Sequence, residues 1–261
     1  MSLVRDSGMN WDAYLFAAVA IGATALWLAL YRLPFRKTRT RQRVRLAVAS
    51  RTGLPGRYVF PILGTVIYLA LGIAAAAAVM AFGGLDLLDL LAWRITAEGV
   101  GLLVLSAVGA SALTAFAMSV LYAVRPTVDV PGAVTGVRWV QEILALPRGW
   151  RYAVPAISAA VEEFFFRGVF LGGLLAAGAP VWAAVVVSGA VFAAGQVLLT
   201  ESALQAAVLA LSSVVLAVVC GLLTAIEGSV LPAILVHASF AGYYTQTSAR
   251  RAAPAPAAVP R

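Results

Sequence analysis

One cysteine, one histidine and one asparagine are all that this 261-residue chain holds of three residue types that commonly build cross-links, metal sites and polar networks. Cys220 alone excludes an internal disulfide and any zinc site made of several thiolates, and its apolar surroundings suit a packed, inert thiol. Charge is scarce as well. Only 11% of the residues are charged against 62% hydrophobic, with a mean hydropathy of +0.94. That balance excludes an ordinary water-soluble domain.

What fills the chain instead is apolar sequence. Crossing the hydrocarbon core of a bilayer takes roughly 20 apolar residues, and runs of that kind lie at 11–34, 58–82, 99–124, 152–177, 180–199, 203–226 and 230–246. The expected fold is therefore all-α, a polytopic integral membrane protein with about seven to eight transmembrane helices. The eighth would come from 85–95, which is too short to cross alone and reads as a re-entrant or interfacial helix. Four regions follow: a first span with a basic loop (1–57), two spans and a linker (58–150), a core holding the buried ionisable groups (151–247), and a Pro/Ala/Arg tail (248–261) expected to be disordered. Within the linker, Pro126, Pro131 and Pro147 preclude a single helix, although 137–146 can lie amphipathically along the surface.

The formal net charge of +8 is unevenly placed. Arg32, Arg36, Lys37, Arg39, Arg41, Arg43, Arg45, Arg51 and Arg57 all fall between the first two spans, which assigns that loop to the cytoplasm. The N-terminus is then outside, the segment with Asp86 and Asp89 is outside, and the C-terminus is cytoplasmic. Arg5 and Asp6 precede an apolar run too long for a signal-peptide core, so the first span is expected to remain uncleaved. A basic loop beside a bilayer calls for anionic lipid headgroups as partner, not nucleic acid. The Ala- and Arg-rich composition fits a bacterial inner membrane.

Four ionisable side chains fall well inside spans: Glu162, Glu163, Arg167 and His237. A charged group at mid-bilayer costs about 2.5–3.5 kcal/mol on insertion scales, so function is the default suspicion. Glu163 and Arg167 stand i,i+4 on a helix and can pair. Glu162 points about 100° away and lies about 15 Å along its span, free to face a wet cavity as a general base toward water. His237, mid-way along the last span, could donate to a developing oxyanion. One imidazole cannot make a two-histidine metal site, and although two glutamates and His237 could formally bind an ion, Arg167 beside them would repel it. The same four groups could also form a hydrogen-bonded cluster that only fixes helix packing. Phe164, Phe165 and Phe166 suit packing or lipid contact, and Glu201 and Glu227 suit solvated helix ends.

Three stretches, VEEFFFRG at 161–168, VFAAGQ at 191–196 and GSVLPAILVHASFA at 228–241, resemble the three motifs of the CAAX protease and bacteriocin-processing (CPBP) family of intramembrane endopeptidases. The resemblance covers about 150–247. It implies Glu162 as the base that activates water, Glu163 and Arg167 as its supporting pair, His237 as the oxyanion donor, and no cofactor. Two positions depart from the pattern. Gln196 stands where the second motif ends in histidine; it can hold a water by its amide but cannot exchange a proton. Ala241 stands where an asparagine usually follows the last histidine, and Asn10 is too distant to replace it, leaving Ser239, Tyr243 or Tyr244 as substitutes.

The resemblance further implies a membrane protein or lipidated peptide as substrate, such as a prenylated C-terminus, a bacteriocin leader or a C-terminal sorting tail of the myxosortase kind. The two departures equally suit a non-catalytic relative that binds a membrane peptide as an immunity, chaperone or scaffold protein. A proton-coupled transporter is a weaker third reading, since one acid-rich span and no visible inverted repeat support it little.

Overall fold

Leucine, alanine and valine runs bounded by glycine, proline and charged residues set the helix ends along the chain. The computed structural model describes residues 11–33 and 36–252, with side chains as far as Tyr243. Arg5, Asp6, Asn10, the side chain of Tyr244 and the expected disordered tail from 253 to 261 lie outside the described residues. The described elements are α1 (Trp11–Arg32), α2 (Thr38–Thr52), α3 (Gly56–Gly83), α4 (Leu87–Leu91), α5 (Ala97–Val124), α6 (Val130–Gly136), α7 (Arg138–Ala145), α8 (Trp150–Glu163), a π-helical segment (Phe164–Leu171), α9 (Gly172–Ala176), α10 (Val181–Leu198), α11 (Ala203–Glu227) and α12 (Leu231–Ala252). No strand occurs among them.

The chain is an all-α polytopic membrane protein. Five helices (α1, α3, α5, α10 and α11) are each long and apolar enough to cross a bilayer. A sixth passage runs unbroken from α8 through the π segment into α9, and the apolar start of α12 supplies a seventh. The segment 85–95, expected as a short helix unable to cross alone, yields the five-residue α4, whose first amides are capped by Asp86. Helix α12 continues to Ala252, so the first five residues of the region set down as tail are helical.

Apolar faces settle the arrangement. Helix α5 buries only Gly99, Ala110 and Thr114 and turns Val104, Leu105, Val108, Leu113 and Phe116 outward, as a lipid-facing helix does. The core gathers Phe165, Phe166, Phe170, Leu171, Leu174 and Phe192 with Trp27 and Tyr68. Small residues let helices close: a Cβ on Gly189 would stand 2.9 Å from that of Ala217, which brings α10 and α11 together, and one on Gly173 would meet the Phe16 ring at 2.0 Å. Phe165 and Phe166 are thus core residues, not lipid-facing ones.

At the end of the bundle where the basic loop lies, the expected amphipathic segment appears as α7, which buries Val140 and Ile143. Arg41 of α2 pairs with Glu142 of α7, and Arg138 pairs with Glu201. At the opposite end the Leu90 carbonyl accepts from the Val230 amide at 3.0 Å, and Glu227 accepts from the Trp93 indole at 2.8 Å. Glu227 therefore ties a loop to α11, where a solvated cap was expected.

Candidate active site

Two adjacent carboxylates on α8 take different surroundings because successive helix positions diverge by about 100°. Glu163 is wholly buried. Its Oε1 lies 2.7 Å from His237 Nδ1 on α12 and 3.1 Å from the Arg167 guanidinium in the π segment. Arg167 in turn lies over the Phe192 ring at 4.3 Å, and Phe192 stands edge-on to His237 with ring centroids 5.9 Å apart. One aromatic ring thus contacts both the guanidinium and the imidazole. Arg167 and the His237 ring thus share one oxygen of a wholly buried carboxylate, whereas the Arg167 or Glu163 charge alone would be costly in this setting.

Glu162 faces the other way. Tyr68 of α3 donates its phenol O–H to Glu162 Oε1 at 2.6 Å, and the Gln196 side-chain amide of α10 donates to Oε2 at 3.2 Å. Tyr68 is held in place by Trp27 of α1, whose indole N–H donates to the Tyr68 carbonyl at 3.0 Å. Glu162, Gln196 and His237 all line one cavity, with about 160 Å³ of space for water. It is floored by Trp139, Glu142 and Ile143 of α7, and several waters fit in that space. Glu162 and His237 keep 9% and 7% exposure toward it, while Glu163 and Arg167 at 0% and 1% stand behind the wall as supports.

A π-helical turn begins directly after Glu163. Its wider winding shows where Gly172 donates its amide back to the Arg167 carbonyl, five residues earlier. Such turns recur at functional sites because they re-aim side chains that regular winding would rotate elsewhere. Here the turn leaves Arg167 against both Glu163 and Phe192.

All of the side chains singled out from the motifs therefore come together, although in two sets: Glu162 with Gln196, and Glu163 with Arg167 and His237. Gln196 differs in detail from the expectation, since its amide bonds the carboxylate of Glu162 itself where it was expected to hold a water. Of the proposed stand-ins for asparagine, Ser239 is exposed and donates back to the Leu235 carbonyl at 2.7 Å, and Tyr243 is exposed. Tyr68 and Trp27 were not anticipated. The one available signal was a tyrosine near the middle of the 28-residue α3, where a polar tip in lipid-depth sequence wants a partner.

Residues 146–242 match the family model for type II CAAX prenyl endopeptidases, Rce1-like. Over this segment the chain is similar to the CPBP family. The segment contains α8 through most of α12, and so Glu162, Glu163, Arg167, Gln196 and His237, while Tyr68 and Trp27 lie outside it. CPBP members of the Rce1-like kind are intramembrane proteases, and their characteristic pair of glutamates, arginine and final histidine are the groups gathered here. No curated protein and no solved structure matches the chain.

Proposed function

We propose that this protein is a glutamate-dependent intramembrane endopeptidase. The observation that carries the reading is that Glu162, Gln196 and His237 line a single cavity inside the bundle, with Glu162 fixed by two donors. A carboxylate has about four lone-pair sites, so the two donors leave room for a water to donate to Oε2. In the reaction Glu162 takes a proton from that water while its oxygen attacks the peptide carbonyl carbon. The carbonyl oxygen gains the negative charge. When the C–N bond breaks, the leaving amine takes the proton from Glu162, giving a carboxylic acid and an amine.

His237 fits the oxyanion role in one protonation state. Its Nδ1 is committed to Glu163, which leaves Nε2 for the cavity. A neutral ring with its hydrogen on Nδ1 could only accept there; an imidazolium donates. In the oxyanion role His237 would thus act as the imidazolium, with Glu163 as its buried counter-charge. Glu163 and Arg167 then hold and balance that ring.

The substrate in this reading is a membrane protein or lipidated peptide, with a prenylated C-terminus or a C-terminal sorting tail as the leading classes. The protein sits in a bacterial inner membrane with its C-terminus in the cytoplasm, and the basic α2 lies on anionic lipid headgroups. A second reading, a binding protein without catalysis, is favoured by one feature: both carboxylate oxygens of Glu162 already accept a donor. The two readings are separated by full-length protein in liposomes, offered quenched peptides that carry either a prenylated C-terminus or an apolar C-terminal helix. Cleavage by wild type that falls at least a thousandfold in Glu162→Gln supports the peptidase. Equal cleavage by both, or none by wild type on either class, supports the binder.

A further inference from the structure

We infer that Tyr68 is a positioning residue for Glu162, supplied from outside the family-matching segment. Its bearing on turnover rests on the peptidase reading; its hold on the carboxylate does not. The phenol-to-carboxylate bond of 2.6 Å is short, as bonds to an ionised acceptor are. Gln196 makes the longer bond of 3.2 Å from a flexible amide arm. Tyr68 is therefore the stiffer of the two restraints.

That stiffness is built by the first half of the chain. The Tyr68 ring lies 4.9 Å from Trp27 and 5.1 Å, edge-on, from Tyr31. Its backbone carbonyl is pinned by the Trp27 indole. Trp27 can approach only because position 72, one turn farther along α3, is glycine: a Cβ there would stand 2.6 Å from the indole and 2.8 Å from Val161. A carboxylate on an ordinary side chain turns broadly about its last bond. With Oε1 held, Oε2 keeps one direction toward the cavity, and the water that it orients needs no search at the moment of attack. Residues 146–242 do not contain this restraint.

The probe is dicyclohexylcarbodiimide, an apolar reagent for carboxyl groups, applied to the full-length protein in detergent micelles and read at Glu162 by peptide mass spectrometry. Tyr68→Phe keeps the ring and removes only the donor. Losing a hydrogen bond to a charged group corresponds to a change of about ten- to a hundredfold, and we expect Glu162 in that variant to be modified at least tenfold faster than in wild type, with the helical circular dichroism of the folded protein retained. As a second variant, 3-fluorotyrosine at position 68 has the same fold requirement and a stronger donor, and modification should slow below wild type. Equal rates in wild type and both variants would overturn the inference. On whichever peptide class wild type cleaves, Tyr68→Phe should lower kcat about tenfold or more and leave KM within about twofold. Cleavage by neither protein would sink the peptidase reading while the labelling still decides whether Tyr68 holds Glu162; a fall confined to KM would place Tyr68 in substrate contact and overturn its positioning role.

Discussion

Arg167 illustrates how burial sets the stakes for a single residue in this protein. It is 1% exposed, pairs with Glu163 and stacks on Phe192, so it is neither a surface ion pair nor a catalytic group. Arg167→Met keeps much of the packing volume but strands the Glu163 charge, which should lower stability by about 3 to 5 kcal/mol. Thermal unfolding in detergent measures this, and loss of catalysis without loss of stability would contradict a supporting role. Glu162, Glu163, Arg167 and His237 were legible in the sequence because charge inside an apolar run is expensive and therefore conspicuous. Tyr68 was not, since a tyrosine costs little in a span and its partner lies 94 positions away. Pairing of His237 with Glu163, and not with Glu162, was equally hidden: it depends on how α12 is rotated against α8, which no local pattern fixes.

The helices themselves were the most readable level. Each of the seven passages falls within a few residues of its apolar run, because hydrocarbon thickness and internal hydrogen bonding leave a segment little choice. The π segment escaped notice, since FFFRGVFL carries no signal that separates wide winding from regular winding. How closely helices approach was also hidden until the glycines could be sorted by what surrounds them. Gly72 is hemmed in by Trp27 and Val161, whereas Gly109 on α5 has nothing within 4 Å. Gly72→Leu should therefore displace Trp27, cost about 1 to 3 kcal/mol of stability by overpacking and lower activity together with it. Gly109→Leu, on the lipid face, should leave both within error. Thermal midpoints of the two variants side by side check the contrast; a neutral Gly72→Leu would remove the packing account of the α1–α3–α8 junction.

At the scale of the whole molecule, asymmetric charge supplies what core packing cannot, a basis for orienting the bundle. The two ends carry different chemistry: arginines of α2 and α7 paired with Glu142 and Glu201 at one, the Asp86-capped α4 and the Trp93–Glu227 contact at the other. If the arginine-rich end is cytoplasmic, a cysteine at Ser50 on α2 is shielded from an impermeant maleimide in intact cells and one at Ala97, the first residue of α5, is labelled. Cys220 is buried and should stay silent. The reverse pattern would invert the topology and place the α7 floor of the cavity outside. This orientation came from the count of arginines around one loop, whereas the cavity, which seven helices build jointly, was beyond reach of any sequence pattern.

The central claim is that a carboxylate inside the membrane domain activates water for attack on a peptide bond. Single-turnover cleavage in water enriched with heavy oxygen, read by mass spectrometry of the new C-terminus, tests it most directly. The account predicts one heavy oxygen in that carboxyl group with wild type and no product with Glu162→Gln. A product whose new C-terminus carries a transferred amine, or labelled product formed equally well by Glu162→Gln, would contradict it.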